Sequence, residues 1–104
     1  MLNNWAWRIL RLGTGKPYLD IKKKDNTVIR IFPSNINPRV LKWHMDDEDR
    51  LVVSLNKNNW LIQLDNELPV SLNKPIFITK HEWHRLHKGD GHLVIIVKKH
   101  AKRA

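Results

Sequence analysis

The sequence predicts a small all-β protein, an antiparallel β-barrel or sandwich with little or no helix, and three observations predict it. Five short runs are rich in β-branched and aromatic residues, clusters of turn formers separate them at regular spacing, and no strand–helix–strand rhythm runs through the chain. At 104 residues the chain supports one core, because only about two thirds of the unfolded surface of so short a chain is buried on folding.

Taken in order, the run from Trp5 to Leu12 comes first. Trp5, Trp7 and Ile9 alternate imperfectly, which favours an edge strand over one short helix, two states that period alone does not separate over so few residues. Gly13 to Pro17 breaks the run, and Lys24-Asp25-Asn26 makes a turn before the strand Thr27 to Phe32. Pro33 to Pro38 is a second break. Leu51 to Leu55 and Trp60 to Leu64 are strands joined by the turn-forming Asn56 to Asn59, and Asp65 to Pro69 ends the second of them. Pro75 to Thr79 and Leu93 to Val97 complete the set of runs, with a strand-like stretch from Glu82 to Leu86 between them. Lys88-Gly89-Asp90-Gly91 reads as a hairpin turn that brings His87 and His92 together at an exposed strand base. The folded unit is expected to be residues 1–97, one domain without a linker, and the basic tail 98–104 is expected to fray into solvent.

Composition narrows the functions. Without cysteine there is no disulfide, thiolate metal site or cysteine nucleophile, which fits a reducing compartment. No apolar run approaches the roughly 20 residues of a membrane helix, and the N-terminus lacks a secretory apolar core, so a cytoplasmic protein without a membrane role is expected. The net charge of +9 is bipolar: residues 1–43 carry nine Lys or Arg against two acids, residues 71–104 eight against two, and residues 44–70 two against six. Such basic ends are either a solvated surface or an attraction for nucleic acid or an acidic protein partner, through Lys22-Lys23-Lys24, Lys98-Lys99 and Lys102-Arg103.

The chemistry concentrates in Trp43-His44-Met45-Asp46 and in the run from Lys80 to Leu86. On a strand, residues i and i+2 share a face, so His44 and Asp46 point the same way, with Glu48 and Arg50 following them. The same parity sets Trp83 opposite to His84. Two imidazoles and a carboxylate converging from two strands suit Fe(II), Mn(II), Ni(II) or Zn(II), whereas a lone histidine on a half-buried strand is ordinarily a hydrogen-bonded structural residue. Trp43 and Trp83 each precede one of these histidines, so parity turns them away from any cavity and argues that the tryptophans pack.

Other motifs fail on spacing. His81 and His84 are three apart in a strand-like run, not four apart on a helix as the zinc-protease signature requires. Gly13-Thr14-Gly15-Lys16 lacks Walker spacing, and none of Ser34, Ser54 and Ser71 sits in a nucleophile elbow.

From about Leu41 to Val97 the order of these features resembles a small single-domain cupin. Its first motif is His-x-His, three or four residues, Glu, six residues, Gly; its second is Gly, five residues, Pro-x-Gly-x-x-His. His44 falls on the first histidine, Asp46 on the second, Arg50 on the glutamate at the three-residue spacing and Lys57 on the glycine. In the second motif Thr79 and His81 replace proline and glycine, and His84 matches the histidine. The resemblance covers about half the chain. It implies a double-stranded β-helix, a cupin-like jelly roll, holding a small anionic or polar ligand, with a divalent metal or with none.

The departures matter. Arg50 stands where such barrels place a metal-ligating glutamate, and a guanidinium does not deprotonate near neutral pH. If a bulge or the four-residue spacing shifts the register, Asp49 takes the glutamate's place and the metal set becomes His44, Asp46 or Asp49, and His84. Without the shift, His44, Arg50 and His84 make a metal-free pocket for a carboxylate, a phosphate or a sugar acid. Two functional classes follow: a ligand-binding barrel that is either a simple binder or a metal-dependent isomerase, dioxygenase or lyase, and a non-catalytic basic module engaging nucleic acid or an acidic protein. Apolar barrel edges in a short chain further lead us to expect a homodimer.

Overall fold

The computed structural model describes residues 16–103. Among them, eight strands form two antiparallel sheets: β1 (Leu19–Lys22), β2 (Thr27–Phe32), β3 (Arg50–Ser54), β4 (Leu61–Leu64), β5 (Val70–Ser71), β6 (Ile76–Ile78), β7 (His84–His87) and β8 (Leu93–Lys99). The larger sheet has the order β1-β2-β8-β3-β6 and the smaller β5-β4-β7. A single 3-10 turn, Pro38–Val40, is the sole helical element among the described residues; Asn37 caps it by accepting the Arg39 amide. No helix among them is long and apolar enough to cross a membrane.

Period-two patterning builds the interior. Val28 and Phe32 on β2, Val52 on β3, Ile62 on β4, Ile78 on β6 and Leu93, Ile95 and Val97 on β8 turn inward, and with Trp60 and Leu72 they make one core between the sheets. Val97 faces Val28 on one side and Val52 on the other, so the central strand ties the large sheet together by like-sized side chains. Trp60 is fully buried, its indole N–H donating to the Gly91 carbonyl at 2.9 Å.

The β1–β2 connection is a tight hairpin. Asp25 and Asn26 both have positive φ, 57° and 63°, and the Thr27 amide bonds back to the Lys24 carbonyl, the pattern of a type I′ turn. Lys88 to Gly91, in contrast, does not close a hairpin. β7 pairs with β4 and β8 with β2 and β3, so this segment crosses from the small sheet to the large one, and His87 and His92 belong to different sheets or their flanks. Gly89 is needed in the crossing, since a Cβ there would stand 2.7 Å from Trp60 Cδ1 and 2.8 Å from its amide nitrogen.

The boundary expected at residue 97 falls inside β8, where Lys98 and Lys99 continue the ladders with Thr27, Leu51 and Arg50. Beyond the strand, the Ala101 amide donates to the Asp49 carbonyl and the Arg103 guanidinium bonds Thr79 Oγ1 and covers the Phe77 ring, so these residues are docked rather than frayed. The expected strand from Trp5 to Leu12 lies outside the described residues.

Candidate metal centre

Two segments carry the site, and main-chain pairing aligns them. His44 and His84 exchange both backbone hydrogen bonds, 3.0 and 2.9 Å, in an isolated antiparallel bridge that extends the small sheet past β7. Pleating then turns exposed His44, half-buried Asp46 and buried His84 toward the cavity, while Trp43, Met45 and Trp83, 40%, 39% and 45% exposed, do not line it. The expected orientation of the two tryptophans holds; they lie on the surface, and core packing belongs to Trp60.

The turn that delivers His84 reverses between Thr79 and Glu82, with the Glu82 amide on the Thr79 carbonyl and the Glu82 carboxylate accepting the Thr79 amide. His81 sits in this turn with φ 64°, the left-handed region that favours glycine. Its position is the one where the resembled motif has glycine. Lys57, matched to the other motif glycine, is not among the residues with positive φ.

One ligand atom each from His44, Asp46 and His84 lies within 4.8 Å of the other two. The imidazoles are tilted against each other with centroids 4.2 Å apart. His44 Nδ1 lies 3.1 Å from the Lys42 carbonyl and His84 Nδ1 2.8 Å from that of Glu82, and since a carbonyl only accepts, both Nδ1 atoms carry the proton. In the neutral form of each ring this leaves the lone pair on Nε2, the keyed tautomer of metal-binding histidines.

Asp46 divides its two oxygens. Oδ1 is 3.4 Å from Arg50 Nη1, while Oδ2 is 3.2 Å from His84 Nε2, buried, and without a hydrogen-bond partner among the described residues. A buried carboxylate oxygen 3.2 Å from an imidazole nitrogen is costly unless a positive centre joins them, either a proton on His84 Nε2 or a metal ion. Partial burial lowers the pKa of His44 from the ordinary 6.5, outweighing its bond to the Lys42 carbonyl, and the neighbouring His84 adds to the lowering. Burial alone would raise the Asp46 carboxyl, but the His84 contact and the Arg50 charge outweigh it and hold the group below the ordinary 3.8. Neutral His44 and ionised Asp46 are the forms a metal requires.

Arg50, not Asp49, faces the cavity. The Asp49 carboxylate accepts the Lys80 amide at 2.8 Å on the other side of the segment and is not part of the convergent set, so the register shift does not occur. Nor does Arg50 oppose a cation as a bare charge: Glu48 takes its Nε and Nη2, and Asp46 its Nη1. Apart from the imidazoles, two carboxylates against one guanidinium leave one excess negative charge.

The site opens into a cavity of about 320 Å³ whose walls include Phe32, Val52, Ile62, Leu86, Ile95 and Val97. Tyr18 and Arg30 also line it, and the sequence reading passed both over. A signal existed, since in Thr27–Phe32 the charged Arg30 has the inward parity of Val28 and Phe32. His87 bonds Gln63 through Nε2 at 2.9 Å and takes no part in the site.

No protein-family model matches this chain, and no curated protein matches its sequence. Solved structures do resemble its fold. The DMSP lyase DddQ from Ruegeria pomeroyi DSS-3 superposes with a TM-score of 0.62 at 9% identity, over 86% of this chain and 49% of that one. Fe(II) HppE gives 0.57 at 15% identity, over 79% and 48%, and HppE has also been solved with Co(II). An RmlC-like cupin with a double-stranded β-helix fold from Methanocaldococcus jannaschii gives 0.54 at 11% identity, over 84% of both chains. The chain thus spans about half the length of the lyase and of HppE, and most of the single cupin. At these identities the likeness is one of fold: the two sheets are those of a cupin, a double-stranded β-helix.

Proposed function

We propose that this cupin-fold barrel binds one divalent transition metal through His44, Asp46 and His84 and takes a small polar ligand into the cavity beside it. The observation that carries the reading is the pair of Nδ1-keyed imidazoles meeting the buried, unbonded Asp46 Oδ2. Two imidazole nitrogens and a carboxylate oxygen beside a cavity would suit Fe(II), Mn(II), Ni(II) or Zn(II). When bound, the metal supplies Lewis acidity and a place for a ligand oxygen. The chain's own residues orient the donors through the Lys42 and Glu82 carbonyls and keep the second Asp46 oxygen on Arg50.

Elemental analysis of the purified protein and calorimetric titration of the metal-free form with each of the four ions test it. We expect near one ion per chain in the wild type and none in His84→Ala or Asp46→Ala. A wild type that binds none of the four sinks the proposal.

A second reading rests on the surface. Lys22, Lys23 and Lys24 flank the β1–β2 turn, and Lys98 pairs with Thr27 beside it, so two basic segments distant in sequence share one rim of the large sheet. That rim suits a nucleic-acid backbone. Binding of a short duplex or single strand that weakens steeply between 50 and 200 mM salt is the expected sign, and absence of binding at the low end removes it.

A further inference from the structure

Arg30 is unused by the metal reading, yet it is the anomaly of the interior. It is 8% exposed at a core-facing position of β2, where a guanidinium persists only when paired. Asp20, its cross-strand partner on β1, takes Nε at 2.8 Å and Nη2 at 3.0 Å, and the Tyr18 ring lies 3.9 Å from the guanidinium carbon. Nη1 has no hydrogen-bond partner among the described residues, and Arg30 lines the same cavity as His44, Asp46 and His84. The guanidinium is therefore held in one plane from its edge and its face, with a remaining donor pair left over. Arg50 offers no such edge, because Glu48 and Asp46 occupy its fork.

The two polar ends are well separated. On β8, Arg30 lies opposite Ile95 and Arg50 opposite Lys99, four residues or roughly 13 Å further along. Between them runs an apolar waist that includes Val52 and Val97, with Ile62 and Leu86 facing it from the small sheet. The cavity, about 320 Å³, is at the small end of ligand sites.

We infer that Arg30 is the carboxylate-reading residue of this cavity, and that its ligand is a small organic acid with an apolar middle. The carboxylate sits on Arg30 Nη1, and the opposite polar end faces His44, Asp46 and His84; that second contact rests on the metal reading above. Asp20 and Tyr18 act through Arg30 as positioning residues, fixing the fork before the acid arrives.

The test is calorimetric titration of metal-loaded protein with acetate, butanoate, succinate and glutarate. The longer acids are expected to bind more tightly than acetate. The double variant Asp20→Asn/Arg30→Met, which removes both charges of the pair together, should bind them roughly 10- to 100-fold more weakly, as loss of a charge-assisted bond implies, while still holding one metal per chain. Undiminished affinity in that variant, or no affinity for any of the four acids in loaded wild type, overturns the inference. Should the variant fail to fold, the Arg30 Nε–H resonance of wild type carries the test: it shifts on adding glutarate if the inference is right and stays still if it is wrong. Titrating metal-free protein separates the two readings: if wild type takes up none of the four ions, the metal reading falls, and acid binding that needs Arg30 still upholds the Arg30 contact.

Discussion

His81 holds a left-handed backbone conformation in the turn that presents His84, and its Nε2 reaches no closer than 3.6 Å to a fully solvated Asp47 carboxylate. Such a contact contributes little, whereas the conformation costs a Cβ-bearing residue on the order of 1 kcal/mol. His81→Gly is accordingly expected to be about 1 kcal/mol more stable than His81→Ala, read from urea midpoints at equal slope. Protonation acts at the same scale. His44 has its folded pKa below 6.5, so the unfolded chain binds its proton more readily; stability is fully present above 6.5 and falls as the pH drops from there toward the folded value. His87, lowered by burial and by the Arg85 charge, adds to the same window, and Asp46 adds a second loss below 3.8. In metal-free protein the urea midpoint should therefore decline from about pH 6.5 downward, and His44→Gln should flatten part of that decline; an unchanged profile in the variant would refute the assignment. His44, Asp46, Arg50 and His84 were legible because strand parity is a local property of the chain. Asp49 entered the site on spacing alone, and the amide of Lys80, which claims its carboxylate, is thirty-one positions away and invisible to spacing.

At the scale of elements, the apolar runs showed themselves and the polar strands did not. β2, β3, β4, β6 and β8 lie within a residue or two of the expected runs, because each buries at least one face in the core. β1 was missed although Leu19-Asp20-Ile21-Lys22 alternates, since its charged residues suggest solvent and its Asp20 instead turns to Arg30. The Lys88 to Gly91 segment carries turn residues, but turn chemistry does not say which sheet the next strand joins. Its tightest position is Gly89, wedged against Trp60. Gly89→Ala must displace the Trp60 backbone or ring and is expected to cost roughly 1–3 kcal/mol, as overpacking does, whereas Gly91→Ala, with nothing within 4 Å of its added methyl, should cost less. Thermal melts of the two variants side by side decide it.

For the whole molecule, a metal held as proposed by His44, Asp46 and His84 would be a ligand of the folded state only, because these residues come from segments some forty residues apart and meet through the sheet. Saturating with metal at about one hundred times its dissociation constant should then stabilise the fold by roughly 2.7 kcal/mol, seen as a rise in Tm that His84→Ala abolishes. A rise of equal size in that variant would place the ion elsewhere. The fold class was legible from the rhythm of runs and turns. The partition of strands between two sheets was not, since it depends on pairings such as β2 with β8 that join the two ends of the described chain.

The two donor-bearing segments are fastened by four bonds that involve no donor atom: the paired amides of His44 and His84, the His81 amide on the Asp46 carbonyl, and the Lys80 amide on Asp49. Where the donors stand is thus decided by three main-chain bonds and the Asp49 carboxylate, and what they are is decided separately by three other side chains. A lineage carrying this scaffold is free to exchange one donor for another, an aspartate for a histidine among them, without rebuilding the frame that aims it.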